Sequence, residues 1–240
     1  MANNLILRTL SSLVLIPLVI STVYFGGIYL LLLAAVCMFL MLREWVMLNK
    51  QSVTQYRHNI VLLIGGVIYI SIPMIFVMLY AVSDISYTLP ATLWKGSQTH
   101  NIFNYALWIL SVAWSCDIFA YCGGKMLGGA KLAPSISPKK TWSGTITGII
   151  VTLLLTHNIT ANFLPYKPLY VDIMTFFMCV AAIFGDLIES KAKRMLGVKD
   201  SGNIIPGHGG ICDRLDSLLL VLYLFIAYDM IQYIRSMRLF

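Results

Sequence analysis

The residues best suited to chemistry lie between Gly185 and Asp216, in the run GDLIESKAKRMLGVKDSGNIIPGHGGICDRLD. Asp186, Glu189, Ser190, Lys193 and Arg194 stand at i, i+3, i+4, i+7 and i+8, which places them on one face of an α-helix. Carboxylates come first on that face and cations follow one to two turns later. Gly197 is the predicted C-cap, because glycine tolerates the left-handed conformation that ends many helices. A loop follows with Lys199, Asp200, Gly202, Pro206, Gly207, His208, Gly209 and Gly210. Its glycines would let backbone N–H groups turn towards an anion. A second helix is predicted to start at Ile211 or Cys212, with Asp213 and Asp216 three apart near its positive end. Carboxylate oxygens suit Mg²⁺, whose coordination is completed by water and substrate phosphates. Lys and Arg side chains suit the phosphates themselves.

A second polar segment runs from Cys116 to Gly144. Asp117 lies in an apolar helical run, and an intramembrane carboxylate is a functional candidate by default. Its plainer role is to pair with a lysine elsewhere. Gly123, Gly124, Gly128 and Gly129 bring backbone close to something, and Pro134 and Pro138 break helix. Lys139 and Lys140, ahead of Thr141 and Ser143, could anchor a phosphate, although two lysines at a membrane edge need no ligand.

The elements that must hold these residues are membrane helices. The chain has 240 residues, is 59% hydrophobic and 11% charged, and has a mean hydropathy of +0.81. Those values lie far outside a soluble domain and predict an all-α polytopic membrane protein. The first apolar run reads as a retained helix: it continues into a second, and Pro17 and Gly26-Gly27 make a poor cleavage site. The cysteines Cys37, Cys116, Cys122, Cys179 and Cys212 show no zinc spacing, and packing is the expected role of those in apolar runs. The net charge of +7 suits loops facing an anionic leaflet and gives no reason to expect a nucleic-acid partner.

Seven spans are predicted, near 9–25, 28–43, 59–80, 103–122, 144–164, 171–188 and 217–234. Gly26-Gly27 would form a tight hairpin between the first two. Tyr24, Tyr29, Trp45, Tyr80, Trp94 and Tyr170 fall near span ends, as interfacial aromatics do. With the N-terminus in the cytoplasm, thirteen Lys/Arg residues lie inside and four (Lys95, Lys167, Arg235 and Arg238) outside. Residues 1–102 then form an N-terminal set of helices. Residues 103–240 form a catalytic region whose loops 123–143 and 189–216 face the cytoplasm, at the surface of a bacterial-type inner membrane.

Taken together, these residues resemble the phosphatidate cytidylyltransferases, or CDP-diglyceride synthases. The family pattern S-x-x-K-R-x4-K-D-x-G-x3-P-x-H-G-G-x-x-D-R-x-D is matched by Ser190, Lys193, Arg194, Lys199, Asp200, Gly202, Pro206, His208, Gly209, Gly210, Asp213, Arg214 and Asp216. Gly185-Asp186-Leu187 with Glu189 looks like the family's lead-in, and Ser137-Pro138-Lys139-Lys140-Thr141 resembles its second motif. The resemblance covers the C-terminal half; the first three spans match only in hydrophobic character. Ala192 replaces a larger apolar residue, and Ser143 stands where many members carry a glutamate, so a carboxylate there is dispensable.

The resemblance implies that CTP and phosphatidic acid become CDP-diacylglycerol and pyrophosphate, with a divalent metal, usually Mg²⁺. It attributes metal ligation to Asp186 and Asp213. Asp216 is then a ligand or supports one. Lys193, Arg194 and Lys199 would hold the triphosphate and Arg214 the lipid phosphate. Ser190, His208 and the Gly209-Gly210 backbone would bind phosphate oxygens. Asp117, Asp200, Lys139 and Lys140 complete the expected substrate site. The bilayer is a partner, and a homodimer is compatible with the sequence.

Plainer roles exist for several residues. His208 could orient the loop, Asp216 could cap its helix, Asp200 could pair with Lys199 or Arg214, and His157 reads as buried packing or an outer-edge residue. Three other functions compete. A transporter would use Asp117 and Asp186 as ion sites, but the charges gather on one side and no inverted repeat is visible. A CDP-alcohol phosphatidyltransferase would need a D-G-x2-A-R run, which the sequence lacks. A CTP-using lipid kinase would differ in the phosphorus attacked.

Overall fold

The computed structural model describes residues 2–51, 56–85, 99–160, 164, 168–205, 207 and 209–237. Trp94, Lys95, Lys167, Pro206, His208 and Arg238, named above from the sequence, lie outside them. The described residues form α1 (Ala2–Phe25), α2 (Gly27–Gln51), α3 (Tyr56–Ile85), α4 (Thr99–Leu127), β1 (Lys131–Ala133), β2 (Ser137–Thr141), α5 (Trp142–Thr160), α6 (Pro168–Met195) and α7 (Cys212–Met237). Among the described residues, four stretches are long and apolar enough to cross a membrane: Gly27–Lys50, Ile60–Ser83, Phe103–Leu127 and Pro168–Met195. Thr9–Phe25 is a shorter apolar helix. An integral membrane protein of mostly helical fold is therefore what the chain builds.

The chain divides into two compact units, one of Met1–Thr99 with Ala192–Leu215, the other of His100–Lys191 with Asp216–Phe240. The boundaries fall inside α6 and α7, so the signature loop belongs with the N-terminal helices.

In the first unit, Gly26 and Gly27 have φ of 60° and 45°. This left-handed pair turns α1 into α2, at the predicted position. Trp45 is 5% exposed, and its indole N–H donates to the carbonyls of Leu62 and Leu63, both at 3.2 Å. Its ring fills the space left by Gly66, so it packs between α2 and α3. The indole N–H finds an acceptor inside the helix pair, so the side chain has no need of the headgroup layer.

In the second unit, α4 continues through Gly123 and Gly124 to Leu127, beyond the predicted end of the span. What these glycines approach is α5. A Cβ on Gly124 would stand 2.8 Å from Thr141 Oγ1, and one on Gly148 would stand 2.8 Å from the Cys116 carbonyl oxygen. Gly144 is packed against the Ala120 carbonyl. Small residues four apart let two membrane helices approach this closely. Ser115 and Trp108 add hydrogen bonds to Thr152 and Thr175, both at 3.0 Å.

The expected loop 123–143 contains an antiparallel two-stranded ribbon, β1 with β2, the only strands among the described residues of an otherwise helical chain. Pro138 fits there because each strand of a two-stranded ribbon has an unpaired edge. Thr141 then caps α5, accepting the Gly144 N–H at 3.1 Å. His157 is half exposed and lies 3.0 Å from Asp172, so it is not a packing residue.

Candidate active site

Helix α6 ends as its spacing predicts. Gly197 has φ of 77°, its N–H donates to Arg194 O at 3.1 Å, and the Val198 N–H donates to Lys193 O at 3.0 Å. These two bonds form a Schellman stop. Arg194 turns its guanidinium back onto the Val198 carbonyl at 2.9 Å and so braces the loop.

Lys193, on the last turn of α6, meets Asp213, on the first turn of α7, with Nζ–Oδ1 at 2.5 Å. Both side chains are nearly buried, 9% and 11% exposed. The second Asp213 oxygen accepts the N–H of Ser201 at 2.9 Å and of Gly210 at 3.2 Å. Burial raises the affinity of this carboxyl for a proton. The hydrogen bonds from Lys193 and Ser201 outweigh it and hold the group below the usual carboxylate range. Gly209 (φ 88°) and Ile205 exchange two backbone hydrogen bonds. The Gly209 and Gly210 N–H groups, expected to face an anion, therefore shape the loop and hold Asp213.

The loop is tied to α2 by Glu44, a residue the sequence did not single out. Glu44 is 3% exposed. Its Oε1 accepts the Ile211 N–H at 3.0 Å, and its Oε2 accepts the Cys212 N–H at 3.0 Å and the Ser201 hydroxyl at 3.1 Å. The residue ahead of α7 is Ile211, whose side chain cannot cap a helix. A carboxylate from another helix satisfies the orphan N–H groups instead. The signal available was a glutamate closing an apolar run, the same signal that singled out Asp117.

In the second unit, Asp186 on α6 forms an ion pair with Lys140 of β2 and accepts the Ser190 hydroxyl at 3.0 Å. The predicted i, i+4 face is real, and the ribbon brings a second-motif lysine to its leading carboxylate. Asp117 accepts the Ser217 hydroxyl at 3.0 Å, and the Ser217 N–H donates to Asp216 at 2.7 Å. Asp216 is 9% exposed and feels the negative charges of Glu189, Asp186 and Asp117. Lys139, Lys199, Asp200 and Arg214 are exposed.

Carboxylate oxygens are the donors that a hard divalent cation takes. Among the described residues, no three His, Cys, Asp or Glu side chains converge closely enough to hold an ion as they stand. Protein cations and N–H groups occupy the carboxylates instead.

The profile of the Cytidylyltransferase family matches residues 70–232. A phosphatidate cytidylyltransferase of Rickettsia bellii is 38% identical over 226 residues, covering 91% of this chain and 87% of the relative. One of Rickettsia felis is 36% identical over 228 residues, covering 91% and 89%. One of Bacillus subtilis is 48% identical over 120 residues, covering 49% and 44%. With the signature residues folded as described, and with relatives matching over nearly its whole length, the chain belongs to the cytidylyltransferase family.

Proposed function

We propose that this protein converts CTP and phosphatidate into CDP-diacylglycerol and pyrophosphate at the cytoplasmic face of a bacterial inner membrane. In this reading all seven helices cross the bilayer and the N-terminus lies inside. The observation that carries it is the pairing of Lys193 with Asp213 within the family signature, on helix ends rich in further cations.

The lipid phosphate is already an anion, so no general base is required. One of its oxygens bonds to the α-phosphorus of CTP, the bond from that phosphorus to the bridging oxygen breaks, and pyrophosphate leaves. The obstacle is repulsion between two anions, which positioning and charge neutralisation overcome. Lys193, Arg194 and Lys199 are proposed to bind the triphosphate, and Arg214, Lys139 and Lys140 to bind phosphate at either substrate. Ser190 and His208 are proposed to orient phosphate oxygens, while the Gly209-Gly210 backbone, expected to do the same, holds Asp213. Asp117 holds Ser217, next to Asp216, and Asp200 shapes the loop. Asp186, Asp216 and Asp213, the last two three apart on α7, are the proposed oxygen ligands of Mg²⁺. When bound, the ion would neutralise phosphate charge.

Purified protein in detergent, given labelled CTP, phosphatidate and Mg²⁺, should release pyrophosphate and form a CDP-lipid, and a chelator should stop it. Release of CDP would mean attack on the γ-phosphorus and would overturn the reading. Solute uptake into liposomes without turnover would favour a transporter.

A further inference from the structure

We propose that Glu44 is a positioning residue for the Asp213–Lys193 pair, acting from a helix that lies outside the matched family segment 70–232. The role rests on the proposed function; the geometry beneath it does not. The Glu44 carboxylate holds both ends of the loop from Ser201 to Cys212 at once, through the Ser201 hydroxyl and the Ile211 and Cys212 N–H groups.

Ser201 passes this restraint on. Its hydroxyl donates to Glu44, its oxygen receives the Asp213 N–H at 3.4 Å, and its own N–H donates to Asp213 Oδ2 at 2.9 Å. Gly210 does the same from the other side, with its N–H on Asp213 Oδ2 at 3.2 Å. The aspartate that meets Lys193 is thus oriented by two N–H groups whose own positions depend on Glu44.

The loop is also shaped to admit this carboxylate. A Cβ on Gly202 would stand 2.8 Å from Glu44 Oε1, and one on Gly210 would stand 2.7 Å from Oε2 and overlap Ser201 Oγ. No left-handed turn demands glycine at either place: Gly202 and Gly210 are not among the glycines with positive φ. Their missing side chains make room for Glu44. Gly202 is therefore explained by a residue outside the signature, and Gly210 by that residue together with the Ser201 hydroxyl it holds.

Cys212 reports on the restraint without any turnover. Its thiol is buried, 4% exposed, and lies 3.5 Å from the Met41 carbonyl, beside the N–H that Glu44 holds. The exposed Cys122 and the partly exposed Cys37 would be replaced, by serine and alanine, to remove background labelling. In that protein, purified in detergent, Glu44→Gln and Glu44→Ala are expected to raise the rate of Cys212 maleimide labelling at least tenfold. The turnover number with CTP and phosphatidate should fall about as much, and the thermal midpoint should fall less in Glu44→Gln, which keeps the shape and one acceptor oxygen, than in Glu44→Ala. Glu44→Asp, too short to reach all three donors, should fall between. Unchanged Cys212 labelling in both Glu44 variants would overturn the restraint itself. Raised labelling with unchanged kcat and KM would overturn the positioning role. If the unmutated protein makes no CDP-lipid yet labelling rises in the variants, the restraint stands and the proposed function fails.

Discussion

Asp213→Asn should lower turnover by about 10²–10³-fold and also destabilise the protein, whereas Asp213→Asn combined with Lys193→Met should regain the stability and none of the activity. Both side chains are nearly buried, 9% and 11% exposed. Removing one member of a buried ion pair leaves the other charged in a poor solvent, at a cost of about 3 kcal/mol. Asparagine keeps an oxygen for the Ser201 and Gly210 N–H groups, so the loop need not collapse. Its amide hydrogens, however, face the Lys193 ammonium. Replacing the lysine by methionine removes that conflict, because apolar packing of similar volume often equals a buried pair in stability. The lost function is different in kind, since neither uncharged side chain can neutralise a phosphate, and an asparagine carbonyl is a weaker ligand for a hard cation than a carboxylate. Thermal midpoints in detergent and CDP-lipid formation, measured on the two single variants and the double, separate the effects. A single Asp213→Asn variant as stable as the parent would show that the pair is not buried as described. An active double variant would remove both residues from the chemistry.

Lys193 and Asp213 form a pair that local sequence rules bring within reach but cannot join. Periodicity placed Lys193 on the α6 face with Asp186, and the glycine after it predicted where the helix stops. Both follow from helix geometry, and Gly197 ends α6 as expected. The start of α7 was also legible, since Asp213 suits a first turn. What could not be read is every contact made by distant parts of the chain. The caps of α7 come from Glu44, more than 160 residues upstream, and an isolated glutamate beside Arg43 carries no periodic signal. The sequence offers Lys140 as a phosphate anchor or a topology signal, and its pairing with Asp186 could not be read from either. Gly123 and Gly124 were expected to bring backbone close to something, within a loop 123–143 that in fact begins after Leu127. Their actual use is close packing of α4 on α5, where the cost in propensity is offset by contact. The packing of Trp45 against Gly66 is a further contact of this kind.

Gly185→Ala is expected to damage the protein although alanine is the better helix residue by about 1 kcal/mol. Gly185 precedes Asp186 in α6 and lies against the start of α7. A Cβ there would stand 2.6 Å from the Asp216 carbonyl oxygen and 3.2 Å from both Ser217 Cα and Leu220 Cβ. The nearest atom is backbone, so no side chain can swing aside, and α6 or α7 must shift. Overpacking of this kind costs about 1–3 kcal/mol. The displaced segment carries Asp216 and, through Ser217, the hydrogen bond to Asp117. A shift of about 1 Å at groups that position substrates can reduce turnover by ~10². Gly65→Ala supplies the comparison. Gly65 lies in α3, and a Cβ added there would meet nothing within 4 Å. The same substitution at that position should therefore leave turnover unchanged and stabilise by up to about 1 kcal/mol. Opposite signs for one chemical change in two membrane helices would locate the effect in the contact between α6 and α7. If Gly185→Ala melts no lower than the parent and turns over at the same rate, the two helix backbones do not meet as closely as described, and the burial of Asp216 loses its cause.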